Sequence, residues 1–372
     1  MIKPFYLDLT EAEINDIQVK LGEILRSGTL ILGKYTEEFE SEFAKYVGTK
    51  YAVSLNSCTS ALESLLMIKG AQGKQVAVPT NTNFATVAAI IRAGGIPIYM
   101  DIDPKYFVPN LDILQYTIEK YPDIVGVAWV HIGGIIAPDF EQVAEFCRAK
   151  KRFLIEDAAH SHGSKMAGIQ SGNFGDGGAF SFFPTKVMTT MEGGMVTTNS
   201  LEDAKLIKSL RNQGKRAGNY GGLHQDLGNS WRMSEIEAYM GLVQLAKLDD
   251  MIAHRTKMVK AIIPTLKAKN IDYCDISHMQ TASLYKFIVR FKNDCTIEEL
   301  KDKFRQEGVI LGGGVYDVPC HRQPVFEAVK FDINDVKMAD KYCPKHVCLP
   351  ITSGTTEDDV KIIIASVDKY IQ

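Results

Sequence analysis

The chain opens with two segments whose hydrophobic residues recur at helical spacing. Over residues 10–27, isoleucine and leucine return every three or four positions, which predicts an amphipathic helix. Thr10 and Glu13 form a capping-box pattern at its start, and Gly28 is a suitable residue to end it. Residues 36–47 carry three aromatic side chains on one face and predict a second helix.

Beyond residue 50 the pattern changes to short apolar strands that alternate with helices. The predicted strands cover Tyr51–Leu55, Val76–Val78, Pro97–Met100, Ile124–Val130, Phe153–Ile155 and Ala179–Phe183. The helices predicted between them cover 57–68, 84–93, 110–120 and 139–149. Because apolar strands alternate with helices, we expect an α/β fold with a mixed, mostly parallel sheet covered on both faces.

The second half of the chain departs from this alternation. Residues 213–230 are rich in Gly, Asn and Gln and predict a long loop, a type of segment that is often functional. A long helical pattern begins near Ser234, and we expect Pro264 to kink or end it. After it come a predicted strand over 284–291 and predicted helices over 297–306 and 357–371. These boundaries predict a large domain over 1–250 and a smaller C-terminal α+β domain over 251–372.

Composition narrows the class of protein. The chain has 372 residues and a formal net charge of −3, which gives no electrostatic reason to expect nucleic acid or a membrane as a partner. It starts without the apolar segment of a signal peptide and contains no long apolar run, so we expect neither a signal peptide nor a membrane-spanning helix. Its seven scattered cysteines form no C-x-x-C pair, which argues against a zinc ribbon and a disulfide framework and makes a reducing cytoplasm the expected setting.

Lys186 is the first candidate for chemistry. It follows a phenylalanine-rich predicted strand and a proline, and Gly193 and Gly194 come soon after it. Most lysines are solvated surface charges. For Lys186 taken alone, a catalytic function is only slightly favoured over this ordinary explanation. Apolar neighbours on both sides, however, remove hydration from an amine and suit Schiff-base chemistry.

The second candidate lies at the end of the strand predicted over Phe153–Ile155. Glu156 and Asp157 follow this strand, and the carboxyl ends of parallel strands are where open α/β sheets bind ligands. Asp157 can serve as a helix cap or as the anionic partner of a protonated ring nitrogen. The neighbouring His160 and His162 have no third ligand nearby in sequence, so we expect no metal site.

The third candidate is the start of the helix predicted over 57–68. Small hydroxyl residues open it, and the positive end of a helix dipole favours an anion. Ordinary capping by Ser57 or Thr59 explains the same pattern equally well. Taken together, an anion seat, an acid and a lysine occur in this order along one α/β chain. These groups suit the phosphate, ring nitrogen and aldehyde of pyridoxal phosphate.

Six segments, in order, resemble the DegT/DnrJ/StrS aminotransferases, also called the sugar aminotransferase family. The resemblance extends over nearly the whole chain and implies the aspartate-aminotransferase-like fold of pyridoxal-phosphate fold type I. The segments are SGTLILGKYTEEFESEFAKYVGTKYAVSLNS, VPTNTNFATVAAIIRAGGIPIYMDID, IEDAAHSHGS, FSFFPTKVMTTMEGGMVTTN, WRMSEIEAYMGLVQL and YDVPCHRQPVF.

The resemblance assigns roles to individual positions. It implies that Lys186 is the catalytic lysine that holds pyridoxal phosphate as a Schiff base. It implies that Asp157 pairs with the ring nitrogen and that His160 packs against one face of the ring. The phosphate is expected to be bound by Ser181, Cys58 and Thr59. Tyr316 and His321 are expected near the substrate, although ordinary loop packing explains these two residues equally well.

Three positions depart from the family pattern. Cys58 replaces the usual Gly or Ala. Asn83 replaces an aromatic that commonly stacks on the cofactor. Either the adjacent Phe84 takes that role or the site is more polar there. Ser230 stands where an asparagine usually contacts the phosphate across a dimer, and Asn229 beside it is the alternative. The resemblance therefore also implies a homodimer with shared active sites.

We therefore expect an aminotransferase that moves an amino group from an amino acid to a keto sugar, with L-glutamate as the expected donor. A nucleotide-linked sugar for surface polysaccharide or glycoside biosynthesis is the expected acceptor. One alternative is a smaller phosphorylated keto compound, motivated by Asn83 and Ser230. Another alternative is a pyridoxal-phosphate-binding regulator without catalysis. The presence of Lys186 favours catalysis, and it argues against a dehydratase subgroup that has histidine at this position.

Overall fold

A computed structural model describes residues 1–216, 222–292 and 295–371. The α-helices within these ranges are α1 (Glu11–Ser27), α2 (Lys34–Val47), α3 (Cys58–Ile68), α4 (Phe84–Arg92), α5 (Leu111–Lys120), α6 (Phe140–Ala149), α7 (Leu201–Arg211), α8 (Glu235–Leu245), α9 (Leu248–Ala268), α10 (Ile297–Gln306), α11 (Lys337–Tyr342) and α12 (Glu357–Tyr370). The strands are β1 (Tyr51–Leu55), β2 (Gln75–Pro79), β3 (Ile96–Met100), β4 (Ile124–Val130), β5 (Phe153–Asp157), β6 (Lys165–Met166), β7 (Ile169–Gln170), β8 (Gly177–Ser181), β9 (Gly194–Thr198), β10 (Phe287–Arg290) and β11 (His346–Leu349).

Seven of these strands form one sheet in the order β1-β9-β8-β5-β4-β2-β3. Strand β9 runs antiparallel to both of its neighbours, and the other pairs are parallel. Successive residues of β2 belong to different cores: Val76 and Val78 pack with α3 and α4, whereas Ala77 packs with α5 and α6. Because neighbouring strand residues point to opposite faces, the sheet is covered on both sides. This confirms the expected α/β fold.

The C-terminal part adds a smaller antiparallel pair, β10 with β11. The start of the chain lies against this part: Ile2 pairs with Val309, and its N–H donates to the Gly308 carbonyl at 2.8 Å. The boundary between the two predicted domains, at residue 250, stays a prediction. Within the described ranges, no helix is both long enough and apolar enough to cross a lipid bilayer.

The predicted loop and the long helical pattern are refined by the structure. Part of the loop predicted over 213–230, residues 217–221, lies outside the described residues. The helical pattern that follows is divided into α8 and α9, and α9 continues through Pro264 to Ala268. Pro264 therefore does not end the helix. It removes one backbone donor, while Ile262 and Leu266 beside it stay buried in the core.

Candidate active site

A cavity of about 260 Å³ lies where β4, β5 and β8 end. This is the edge at which open α/β sheets bind ligands, because loops and helix starts meet there. The cavity brings together eight of the residues predicted from sequence: Cys58, Thr59, Asn83, Asp157, His160, Ser181, Lys186 and Tyr316.

Strand β9 assembles one end of this cavity. Its first residue, Gly194, is paired with Leu55 of β1 on one side and with Ser181 of β8 on the other. The turn after β1 and the end of β8 are therefore brought together around one glycine. A Cβ atom at Gly194 would lie 2.2 Å from the carbonyl group of Ser57, so only glycine permits this close approach.

Helix α3 begins at this end of the cavity. The Ser57 hydroxyl caps it by accepting a hydrogen bond from the Ser60 N–H at 3.1 Å. The first-turn residues Cys58 and Thr59 nevertheless line the cavity, as Ser181 does. Capping by Ser57 therefore leaves the first turn of α3, with the positive end of its helix dipole, facing the cavity.

Asp157, the last residue of β5, is a buried carboxylate that lines the cavity. Its two oxygens accept hydrogen bonds from the Thr86 hydroxyl at 2.7 Å and the Ala159 N–H at 3.1 Å. Burial raises the pKa of Asp157, although these two bonds and the Lys186 charge oppose the rise. Across the described ranges, no cationic side chain lies within ion-pair distance of it. A buried carboxylate of this kind suits a cationic ligand group.

Thr86 was not identified from the sequence. It lies on α4, 71 residues before Asp157, and its hydroxyl is also hydrogen-bonded to Thr82 at 2.7 Å. The pair orients the Asp157 carboxylate toward the cavity. A helical threonine carries no local signal for this function, because its partner lies on a strand far away in sequence.

His160 supplies a flat wall of the cavity. Its Nδ1 accepts the Gly133 N–H at 3.2 Å, which leaves the Nε2 hydrogen directed at the Tyr316 hydroxyl 3.4 Å away. Burial, with a contribution from Lys186, lowers the pKa of His160 well below its ordinary value. The imidazole is therefore neutral, and a neutral ring can pack against an aromatic ligand.

Lys186 follows β8 on a turn in which its N–H donates to the Phe183 carbonyl at 3.0 Å. The side chain is half-buried rather than fully buried, although Val187 and Met188 after it are buried. Its Nζ lies 4.6 Å from the centre of the Tyr285 ring. Lys186 lines the cavity, and we find no carboxylate paired with it in the part of the chain that the structure describes.

Tyr285 is a second residue that sequence analysis missed. Its ring lies 4.4 Å from the His160 ring, and its hydroxyl is hydrogen-bonded to the Thr185 hydroxyl at 3.0 Å. Burial raises the pKa of the phenol, but the charges of Lys186 and Lys286 and the bond to Thr185 more than offset this, so the pKa is lowered. Because Tyr285 lies about 100 positions from Lys186 in the chain, no local sequence pattern indicates the contact between them.

Asn83 and Phe84 differ in their placement. Asn83 lines the cavity, and its side chain also caps α4 by accepting the Ala85 N–H at 2.9 Å. Phe84 instead stacks on Phe326, with ring centres 5.6 Å apart. It does not take the position of the missing aromatic. The polar Asn83 occupies that position in the cavity wall.

Three predicted residues lie outside this cavity. His321 is buried, with its ring nitrogens bonded to Thr80 at 2.6 Å and Asp340 at 2.8 Å. Loop packing therefore accounts for it. Asn229 and Ser230 also do not line the cavity. No group of three metal-ligating side chains is found among the described residues.

Residues 11–368 match the DegT/DnrJ/EryC1/StrS aminotransferase family. The chain belongs to this family. GDP-perosamine synthase from Caulobacter vibrioides is 31% identical, and the alignment covers 91% of each chain. The spore coat polysaccharide biosynthesis protein SpsC from Bacillus subtilis is 31% identical over 99% of this chain and 97% of its own.

Solved structures of the family share the fold. Spr1654 from Streptococcus pneumoniae in its PLP form superimposes with a TM-score of 0.87, at 25% identity over 100% of both chains. Family membership makes the protein a pyridoxal-phosphate-dependent aminotransferase with an aspartate-aminotransferase-like fold. The cavity fits the cofactor. Asp157 is a buried anion without a cationic partner in the described ranges, α3 presents its N-terminus to an anion, and Lys186 lies beside the same cavity.

Proposed function

We propose that the protein transfers the amino group of L-glutamate to a keto sugar linked to a nucleotide. One observation carries the proposal: the Asp157 carboxylate, the N-terminus of α3 and the Lys186 amine line one cavity. When bound, pyridoxal phosphate supplies an aldehyde that exchanges amino groups and a protonated ring that accepts electrons.

Lys186 carries the proton chemistry in this proposal. Its Nζ, once it no longer holds the cofactor, would take a proton from the substrate carbon as general base and deliver it, as general acid, to the carbon of the former cofactor aldehyde. The apolar residues that follow it exclude water, and the Tyr285 ring 4.6 Å away stabilises its ammonium form. The second half of the reaction repeats these proton transfers in the opposite direction, with a ketone as the acceptor.

The other cavity residues would hold and orient the cofactor. Asp157, fixed by Thr86, keeps a ring nitrogen protonated through a charge-assisted hydrogen bond. Ser181 and the first turn of α3 bind a phosphate group. The neutral His160 ring would pack against one face of the cofactor. The bonds that hold Asp157 and the first turn of α3 are already formed in the structure, so these groups need no reorganisation when charge develops.

The acceptor is inferred from relatives and from the cavity wall. GDP-perosamine synthase is named for a nucleotide-linked sugar and SpsC for polysaccharide biosynthesis. Asn83, Glu192 and Tyr316 add amide, carboxylate and phenol groups to the cavity. Such groups suit the hydroxyls of a sugar. We therefore place the product in surface polysaccharide or glycoside biosynthesis.

The proposed assembly is a homodimer with shared active sites. Val19 and Leu25 on α1 are 59% and 60% exposed, and Leu227 is 91% exposed. Apolar side chains of this kind favour burial against another chain. Asn229 and Ser230 lie near Leu227 in sequence and outside their own cavity, which suits contact with the partner's phosphate site.

An absorbance spectrum tests the catalytic assignment. We expect the holoenzyme to show a visible band that moves to the near-ultraviolet on addition of L-glutamate. Lys186→Ala should lose the visible band that the Schiff base with Lys186 gives. Its turnover should fall by roughly 100- to 10,000-fold, the usual contribution of a general acid–base group. The exposed Lys260→Ala is the matched control and should behave as wild type. Full activity of Lys186→Ala would refute the assignment.

A panel of ketones tests the acceptor. The amino form of the enzyme should regain its visible band with nucleotide-linked keto sugars and not with small phosphorylated ketones. A faster return with the small compounds would replace the sugar proposal by the alternative acceptor.

A further inference from the structure

Lys286 is a half-buried lysine that the proposed chemistry leaves without a function. It directly precedes β10, and its Nζ lies 5.2 Å from the centre of the Tyr285 ring. The Nζ of Lys186 lies 4.6 Å from the same centre. The two nitrogens are therefore no farther apart than the sum of these two distances. A second ammonium group thus lies within about 10 Å of the reactive lysine.

Lys286 has no carboxylate partner among the described residues. Within the described ranges, no Asp or Glu oxygen lies at ion-pair distance from its Nζ, although most of the half-buried lysines there, such as Lys69, Lys120 and Lys247, have such a partner. An ammonium group withdrawn from water is costly unless an anion or another strong acceptor compensates it. The Tyr285 ring face supplies part of this compensation. The remaining positive charge is available to a ligand.

The segment opposite Lys286 leaves room for such a ligand. Gly312 has no side chain, and a Cβ atom there would lie 3.1 Å from the Lys286 Nζ. The next residue, Gly313, has no atom within 4 Å of the place where its Cβ would be. Open space therefore lies at Gly313, beside the glycine that faces the ammonium group. Lys286 is not among the residues that line the cavity, but its charge contributes to the lowered pKa of His160, which does line it.

We propose that Lys286 binds the α-carboxylate of the amino-acid donor. The inference rests on the proposed transfer from an amino acid. An α-amino acid carries its amine and its carboxylate on one carbon, so a cation that binds the carboxylate must lie a few ångströms from the reacting nitrogen. The shared Tyr285 ring keeps the Lys186 and Lys286 nitrogens within about 10 Å of each other, a distance that an amino acid bound between the two side chains can span. The diphosphate of a nucleotide sugar, in contrast, is separated from a ring ketone by the sugar itself.

The test is the donor half-reaction of the holoenzyme, followed by absorbance at several concentrations of L-glutamate and L-glutamine. Both donors keep the α-carboxylate, but only glutamate has a second one. Lys286→Met should raise the half-saturating concentration of both donors roughly 10- to 100-fold, the range for a lost charged hydrogen bond. The limiting rate and the KM of the ketone acceptor should stay within about threefold of wild type. Lys286→Arg, which keeps the charge, should recover most of the loss.

Controls separate this function from a structural one. Lys260→Met makes the same charge change at an exposed site and should leave both donors unaffected. Cofactor content and the unfolding midpoint of Lys286→Met should match wild type. Unchanged saturation by both donors would overturn the proposal. So would a loss confined to glutamate, which would indicate the side-chain carboxylate, or a loss confined to the acceptor. A wild-type enzyme that reacts with neither donor would refute the proposed function itself.

Discussion

At the scale of single residues, the candidate site depends on partners that hold its charged groups in place. Asp157 is a buried carboxylate whose orientation comes from the Thr86 hydroxyl, and Thr86 is itself held by Thr82. Removing a hydrogen-bond donor from a buried carboxylate leaves its charge partly unsatisfied. Thr86 should therefore matter for catalysis although it does not line the cavity.

Thr86→Val tests this dependence. The variant keeps the shape of threonine but loses the hydroxyl, so we expect turnover to fall roughly 10-fold, equivalent to about 1–2 kcal/mol. Thr117→Val is the matched control, since Thr117 is also a buried helical threonine and its hydroxyl bonds only the Ile113 carbonyl. Steady-state turnover and the unfolding midpoint should be measured for both. Equal activity in the two variants would contradict the function given to Thr86.

A buried histidine makes stability depend on pH. His346 is fully buried: its Nε2 accepts the Val315 N–H at 2.8 Å and its Nδ1 donates to the Cys343 carbonyl at 2.7 Å. Burial lowers the pKa of His346 to about 4, whereas an unfolded histidine titrates near 6.5. Between these values the unfolded chain binds a proton that the folded protein refuses. This contribution to stability is therefore present above about pH 6.5 and is lost as the pH falls.

Urea unfolding at several pH values should show this loss. Wild type should lose up to about 1.4 kcal/mol per pH unit from His346 as the pH falls from 6.5 towards 4. His346→Asn should be less stable at pH 7, because the Val315 bond is disturbed, but should show a shallower slope. Parallel slopes for the two proteins would show that His346 does not titrate in this way.

At the scale of elements, the insertion of β9 between β1 and β8 builds the end of the cavity at which we propose that phosphate binds. Neither Ser181 nor the start of α3 forms that end alone, and their approach depends on Gly194. A Cβ atom at Gly194 would clash with backbone atoms of Ser57 and Cys58. Unlike a flexible side chain, these backbone atoms cannot rotate away. The turn therefore has to shift if a side chain is added.

Gly194→Ala should thus weaken cofactor binding and stability together. Overpacking of this kind costs about 1–3 kcal/mol, and we expect the variant to release pyridoxal phosphate during dialysis that wild type survives. Gly22→Ala on α1 is the control, because its new Cβ meets only the flexible Arg26 side chain. Absorbance after dialysis and thermal unfolding measure the two effects. Retention of the cofactor by Gly194→Ala would show that this glycine is not needed.

At the scale of the whole molecule, the proposed dimer makes the two active sites interdependent. Asn229 and Ser230 lie outside their own cavity, and in the proposed assembly they complete the partner's site. A defect in Lys186 and a defect in this pair then affect different sites of a mixed dimer. One of its two sites contains only wild-type residues.

Mixing inactive variants tests the shared site. Lys186→Ala and the double variant Asn229→Ala with Ser230→Ala should each have low activity. After unfolding and refolding together, roughly half of the dimers are mixed. These should regain one working site, up to about a quarter of the wild-type activity. Light scattering should show dimers in each sample. No recovery with mixed dimers present would exclude sharing through these residues.

The sequence predicted the fold and three central groups because their signals are local. Strand–helix alternation and apolar strands led to the mostly parallel sheet, and the carboxyl ends of parallel strands meet at one edge. Asp157 and Ser181 end strands, and Cys58 begins the helix after another. Their convergence therefore followed from their positions. The resemblance to a family added the individual roles of Lys186 and His160.

What local pattern could not determine was decided by contacts between distant segments. Pro264 remains inside α9 because the buried face of the helix outweighs one lost bond. Phe84 turned to Phe326, and His321 bonded to Thr80 and Asp340, because those partners come near only in the folded chain.

The sequence by itself thus determined which elements form and which chemical groups stand at their ends, since periodicity and turn residues act between near neighbours. Only the tertiary structure decided which partner orients each group. Thr86 reaches Asp157, and Tyr285 reaches Lys186, through packing of segments far apart in the chain. Packing of this kind depends on the whole core, so no short stretch of sequence encodes it.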